Sequence, residues 1–211
     1  MTRSNYYEAM KQSARNVRAR FGITGPKLTI TDLNSIYEAE GLILDLWSGT
    51  FRNLRGAYFP NAQPSVMLDR SLPRDPRVFT QAHELKHHLH DRERGALMCE
   101  TGNVDDMVEI GAEVFAGELL FPEAEFRARM AALGVRARAC RPEDLVRLKH
   151  ETDTTLSYRG LCKLAGWTGF GTEAELAKAQ PKLIEVSLYG PPPRRIPRGV
   201  GISRRRFPSA G

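Results

Sequence analysis

Apolar positions recur at helical spacing along most of this chain. In residues 4–21, Tyr7, Met10, Ala14 and Val17 fall on one stripe and predict an amphipathic helix. Residues 31–40 predict a second helix, opening at a Thr31 or Asp32 cap and closing at Gly41. The pattern then changes. Residues 42–47, 56–59 and 65–68 are short apolar runs separated by Gly, Asn and Pro, and they predict three short strands. Helical spacing returns over residues 76–89, 105–120, 122–133, 142–150 and 153–165, with a polar loop over 91–104. No internal repeat is present. Helices, then a small sheet, then more helices predict an α+β fold. An edge strand of such a sheet can hold an extended peptide by backbone pairing, with residues 65–68 or 56–59 as the candidates.

The helix over 76–89 has two kinds of face. Val78, Leu85 and Leu89 share one stripe, with Ala82 at its margin, while His83, His87 and His90 share the opposite one. Pro76 suits a first turn, with Asp75 as its cap. Four of the five histidines in the chain fall within residues 83–90, which chance placement would rarely produce. His83-Glu84-Leu85-Lys86-His87 reads H-E-x-x-H. On a helix the two histidines lie one above the other and can hold one zinc ion. Glu84 stands about 100° round from His83, where a general base can take a proton from water held by the ion. The pentapeptide alone recurs by chance, so its surroundings decide.

A zinc site of this type needs a third protein ligand. In residues 105–120, Glu109, Glu113, Ala116 and Leu120 share a stripe, and Asp105 and Asp106 suit the positive N-terminal end of a helix. Glu109 is the candidate ligand. Glu113, one turn on, is a candidate to orient a ligand histidine from behind. Ala116 is small enough to let two helices approach. The ordinary alternative is that both glutamates are solvated surface charges. Cys99, between the two helices, is a further candidate donor or simply a small semi-buried residue.

The stretch RVFTQAHELKHHL resembles the R-F-T-L-A-H-E-x-G-H segment of the ImmA/IrrE metallo-endopeptidases, and EIGAEVFAGELLFP resembles their E-x-x-A-N-x-F-A-x-x-L-L-x-P segment. SVMLDRSL and, more loosely, SYRGLCKLAGW resemble flanking parts of the same family, so the likeness runs over roughly residues 27–170. The resemblance implies a zincin-like fold in which a small, mainly antiparallel sheet packs against the H-E-x-x-H helix and the C-terminal part is helical. It also implies His83, His87 and Glu109 as zinc ligands and Glu84 as catalytic base, with Glu113 in the place of an Asn or Asp. The implied activity is zinc-dependent endopeptidase. The implied substrate is a helix-turn-helix transcriptional repressor, in stress response or mobile-element regulation. Three residues depart from the family segments: Lys86 replaces a glycine, Gln81 an apolar residue, and Glu113 a shorter side chain. Lys86 is expected at the edge of the site face, altering substrate charge preference or reaching into solvent. Tyr158, Arg159 and His150, in the helices after the motifs, are candidate donors to the transition state, with a structural role as the ordinary alternative.

Composition adds boundaries. The 211 residues suffice for one substantial domain, and 41 % hydrophobic with 27 % charged residues is ordinary for a globular protein. The N-terminus has no apolar h-region, and no apolar run approaches a membrane span. Cys99, Cys140 and Cys162 form no C-x-x-C pair and suggest reduced thiols, so the expected location is cytoplasmic. The net charge of +6 comes from six arginines in residues 191–211, since the remaining 25 basic residues match 25 acidic ones. We therefore divide the chain into a metallopeptidase domain over 1–180 and a flexible basic Pro/Arg-rich tail over 181–211. The tail is a candidate for weak nucleic-acid contact, against the blander reading of a solvated segment. Two other classes stay open. One is a zinc-binding module that captures a repressor without cutting it, for which Glu84 would be superfluous. The other is a nucleic-acid binder acting through the tail, although no helix-turn-helix or zinc-finger spacing supports it.

Overall fold

The structure is a computed structural model that describes residues 2–48, 54–100 and 107–192. The chain opens with helices α1 (Arg3–Arg20) and α2 (Ile30–Ala39), followed by strands β1 (Ile43–Trp47), β2 (Leu54–Phe59) and β3 (Ser65–Asp69). Helix α3 (Arg74–His90), strand β4 (Leu97–Glu100) and helix α4 (Met107–Leu120) form the centre. Helices α5 (Glu123–Ala132), α6 (Pro142–Thr152), α7 (Tyr158–Trp167), α8 (Glu173–Leu176) and α9 (Pro181–Tyr189) complete it. The fold is α+β and zincin-like, with a helical C-terminal part.

The four strands form one mixed sheet in the order β1-β3-β2-β4. β1 runs parallel to β3, from Ile43 opposite Ser65 to Trp47 opposite Asp69. The other pairings are antiparallel, with Gly56 opposite Leu68 on one side of β2 and opposite Cys99 on the other. Strand β4 falls within the stretch that the sequence reads as a polar loop. Its four residues are too short for periodicity to register, and they become a strand by pairing with β2. That addition corrects the edge-strand expectation. Residues 56–59 and 65–68 lie in β2 and β3, which are interior, and the edges among the described residues are β1 and β4.

Local chemistry sets the helix ends. Helix α2 is capped by Thr29, not by Thr31 or Asp32; the Thr29 hydroxyl accepts from the Asp32 N–H while Asp32 accepts from the Thr29 N–H. Asp75 is not the cap of α3 either. That helix begins at Arg74 behind Pro73 with no side-chain cap, and the Asp75 carboxylate instead accepts from Lys149 of α6 at 2.8 Å. The predicted helix over 153–165 divides differently: Asp153, at φ 47°, ends α6, and α7 starts at Tyr158 behind a Ser157 cap.

Helix α3 lies between the sheet, α2 and α4. Val78, Ala82 and Leu85 join Leu33 and Ile36 of α2, Val66 and Leu68 of β3, and Phe115 and Leu119 of α4 in one core. The helix is not half-exposed as the two-faced pattern predicts, because residues 80–88 are all buried. Burying so polar a helix demands internal partners. Gln81, for example, donates to Asn34 of α2 at 3.1 Å, and its backbone carbonyl accepts from the Tyr37 hydroxyl at 2.6 Å.

The C-terminal boundary also differs from expectation. Residues 181–189, assigned by composition to the tail, form α9 against α6, where the Tyr189 ring stacks on His150 at 3.8 Å. The arginine-rich stretch 193–211, like Asp105 and Asp106 ahead of α4, lies outside the described residues. No helix of the described residues is long and apolar enough to cross a membrane.

Candidate metal centre

Helical geometry brings the first two donors together. His83 and His87, one turn apart on α3, place their Nε2 atoms 3.2 Å from each other. Helix α4 packs alongside and supplies Glu109 from its first turn. Its carboxylate oxygens stand 3.1 Å from His83 Nε2 and 3.5 Å from His87 Nε2. Two donors at bond distance from a tetrahedral zinc ion stand ~3.3 Å apart. The three observed separations bracket that edge length, so the donor set fits such an ion. Among the described residues, His83, His87 and Glu109 are the group of this kind, with ligand atoms all within 4.8 Å of one another.

The donors differ in exposure. The His87 side chain is fully buried, while those of His83 and Glu109 keep 10 % and 14 % of their surface open. The opening faces a cleft of about 410 Å³ lined by both residues. Its walls are Phe79 and Thr80 of α3, Ile110, Glu113 and Val114 of α4, and Gly160, Lys163, Leu164 and Trp167 of α7. Arg55 of β2 and Arg159 of α7 add two cations to the rim.

Protonation is arranged to suit a metal ligand. Burial pulls the His87 pKa below the usual histidine value, against the opposing pull of Asp91. A neutral imidazole is the ligating form. Asp91 Oδ2 lies 2.8 Å from His87 Nδ1, an arrangement that leaves Nε2 free to ligate. Burial alone would raise the Asp91 pKa, but hydrogen bonds from His87 and Lys86 outweigh it and hold the carboxyl low.

Asp91 is the residue that sequence reading missed. Its signal was present, since it follows His87 by four residues on the same helical line. Glu113, the candidate for that supporting role, accepts from Lys163 of α7 at 2.7 Å across the cleft. Lys86 is neither at an edge nor in solvent: it is fully buried, donating to Asp91 and to the Val108 carbonyl. The remaining histidines turn elsewhere. His88 meets Tyr58 of the sheet edge-on at 5.6 Å, and His90 bonds Ser13 of α1 at 2.8 Å.

Glu84 is fully buried on the sheet side of α3. The space for its carboxylate exists because β2 carries a glycine there. A Cβ on Gly56 would stand 2.6 Å from Glu84 Oε1. Of the three candidate donors after the motifs, Arg159 lines the cleft. Tyr158 instead donates its hydroxyl to the Leu176 carbonyl at 3.0 Å, and His150 is occupied by Tyr189.

A mixed sheet over an H-E-x-x-H helix, with a carboxylate from the next long helix beside it, is the arrangement of a zincin-like fold. Residues 49–150 match the family Peptidase_M78, the IrrE N-terminal-like domain. This segment, which holds His83, Glu84, His87 and Glu109, is similar to that family. No curated protein matches the chain.

Proposed function

We propose that this protein is a zinc-dependent endopeptidase that cuts a peptide bond in a protein substrate in the cytoplasm. The observation that carries the reading is the closure of His83, His87 and Glu109 on one point, at the open end of a cleft, with Glu84 on the same helix. His83, His87 and Glu109 would hold the ion. A bound zinc ion supplies Lewis acidity, polarising a peptide carbonyl and bringing the pKa of water towards ~7.

The residues of the chain do the rest. Glu84 accepts the proton of the attacking water on its carboxylate and returns it to the leaving amine. Asp91 keeps His87 in the ligating tautomer. Arg159, on the cleft wall, is the candidate to stabilise charge on the carbonyl oxygen. Edge strand β4 beside β2 is the candidate to pair with an extended substrate backbone.

The resemblance of the two central segments to ImmA/IrrE metallo-endopeptidases supports a helix-turn-helix repressor as substrate, in stress response or mobile-element regulation. The arginine-rich tail would add weak contact with nucleic acid. The test is co-expression of wild type or Glu84→Gln with a helix-turn-helix repressor, sought first among the neighbouring genes, followed by mass measurement of repressor fragments. Glu84→Gln keeps side-chain size and every metal donor. It should retain zinc and lose cleavage by a hundredfold or more, on the order expected for a missing general base. Relief of repression by both forms with the repressor intact would replace the protease with a capturing module.

A further inference from the structure

We propose that Lys86 is a positioning residue that locks the two ligand-bearing helices together, so that His87 and Glu109 converge on one ion. The proposal rests on the metal-site reading above.

Lysine is among the residues least often fully buried, because an uncompensated interior charge is costly. Lys86 has no exposed surface. Its ammonium donates to Asp91 Oδ2 at 2.7 Å and to the Val108 carbonyl at 2.9 Å, and stands 5.8 Å from the centre of the Tyr6 ring. Each of these contacts reaches a different part of the site. Asp91 Oδ2 is the same oxygen that meets His87 Nδ1 at 2.8 Å. Lys86 therefore fixes the carboxylate that orients one ligand. Val108 directly precedes Glu109, so the second bond draws the first turn of α4 onto α3 beside the other ligand.

The third contact extends the clamp to α1. The Tyr6 ring fills the space left by Gly111 of α4, where a Cβ would stand 2.5 Å from Tyr6 Cε1. Tyr6, Lys86, Asp91 and Val108 thus join three helices directly behind the donors. A purely structural ion pair would not need to share its carboxylate with one ligand and anchor the neighbour of another. Supporting residues of this kind typically alter metal affinity by ~10–100-fold when replaced.

Lys86→Met keeps the length of the stem and removes the charge and both hydrogen bonds. The measurement is zinc affinity of the purified full chain by competition with a chelator, together with the visible spectrum of the cobalt-loaded protein and the melt of the metal-free protein. Met130→Ala, which opens a cavity in the core of α5 away from the site, is the control for loss of stability alone. The expected result is a ~10–100-fold loss of zinc affinity and a changed cobalt spectrum in Lys86→Met, with Met130→Ala matching wild type in both. Should Lys86→Met not fold, Lys86→Leu, which also removes the charge and both hydrogen bonds, is read against the same limits. Affinity and spectrum equal to wild type in the folded variant would overturn the proposal and leave Lys86 a structural ion pair. Failure of the wild type itself to bind zinc would instead overturn the metal-site reading, and this proposal with it.

Discussion

Gly56→Ala tests whether the sheet and the H-E-x-x-H helix are in contact at Glu84, the proposed general base. Gly56 lies on interior strand β2, and its added methyl would stand 2.6 Å from Glu84 Oε1, 2.6 Å from Thr80 Cγ2 and 3.0 Å from Leu68 Cδ2. Carbon contacts are comfortable at about 3.5–4.0 Å, so the first two neighbours must give by roughly an ångström. Thr80 resists, because its side chain is β-branched and its hydroxyl donates to the Pro76 carbonyl at 2.9 Å. Glu84 is fully buried and has little room to swing.

Overpacking of this kind costs ~1–3 kcal/mol, and the stiffer unfolded chain returns about 0.5–1 kcal/mol of it. At mid-range the net loss is about 1 kcal/mol, which corresponds to a melt lowered by ~2–4 °C for a chain of this size. The metal donors are not touched, so zinc content should be unchanged while peptidase activity falls with the displaced carboxylate. Thermal denaturation by circular dichroism, zinc analysis and repressor cleavage together make the assay. A variant melting at or above wild type with full activity would refute the argument, since it would mean that the strand yields freely.

Replacement of the donors should separate ligand from neighbour. His83→Ala and His87→Ala should abolish zinc binding in equilibrium dialysis and Glu109→Ala should weaken it strongly, whereas Glu113→Ala, which removes only the partner of Lys163, should change it little; the reverse order for the two glutamates would move the site one turn along α4. The metal-free protein should hold its stability above pH 7 and lose it as the pH falls below about 6.5 in denaturant titrations, because burial depresses His87 and His88 in the fold and the unfolded chain then binds the extra protons. A stability flat from pH 7 to 5 would contradict that. A chain ending at residue 192 should melt close to the full length, while one ending at residue 180 should melt a few degrees lower. The shorter chain loses α9 and the Tyr189–His150 stack, a contact of ~0.5–1.5 kcal/mol; equal melts for the two would make α9 dispensable.

The parts of this structure that were legible in sequence are those governed by spacing within one helix. H-E-x-x-H places two imidazoles on one line, and the stripe through Glu109 and Glu113 marks one face of α4, so the residues of the candidate group could be narrowed to His83, His87 and one of two glutamates from residue numbers alone. Features set by pairing between distant segments were not legible. β4 is four residues that become a strand because β2 presents an open edge to them. The same addition turned β2 from a candidate edge into an interior strand, and it is interior packing that gives Gly56 its role. The fate of Lys86 was illegible for the same reason. From sequence it is a charged residue between two site histidines; its burial follows from Asp91 at the end of its own helix and from Val108 and Tyr6, which two other helices deliver.

The histidine run makes the same point from the opposite side. Four histidines within eight residues look like one cluster, yet consecutive positions on a helix point about 100° apart. Because α3 is enclosed by neighbours, each direction meets a different element. His83 and His87 meet Glu109 of α4, His88 meets Tyr58 of the sheet, and His90 meets Ser13 of α1. Density of metal-ligating residues in sequence therefore overstated the site by two. What singles out the candidate pair is the four-residue interval together with a carboxylate arriving from a second helix. The two that remain serve packing, and His88, buried and held below its usual pKa by that burial, makes the fold itself sensitive to acid independently of any metal.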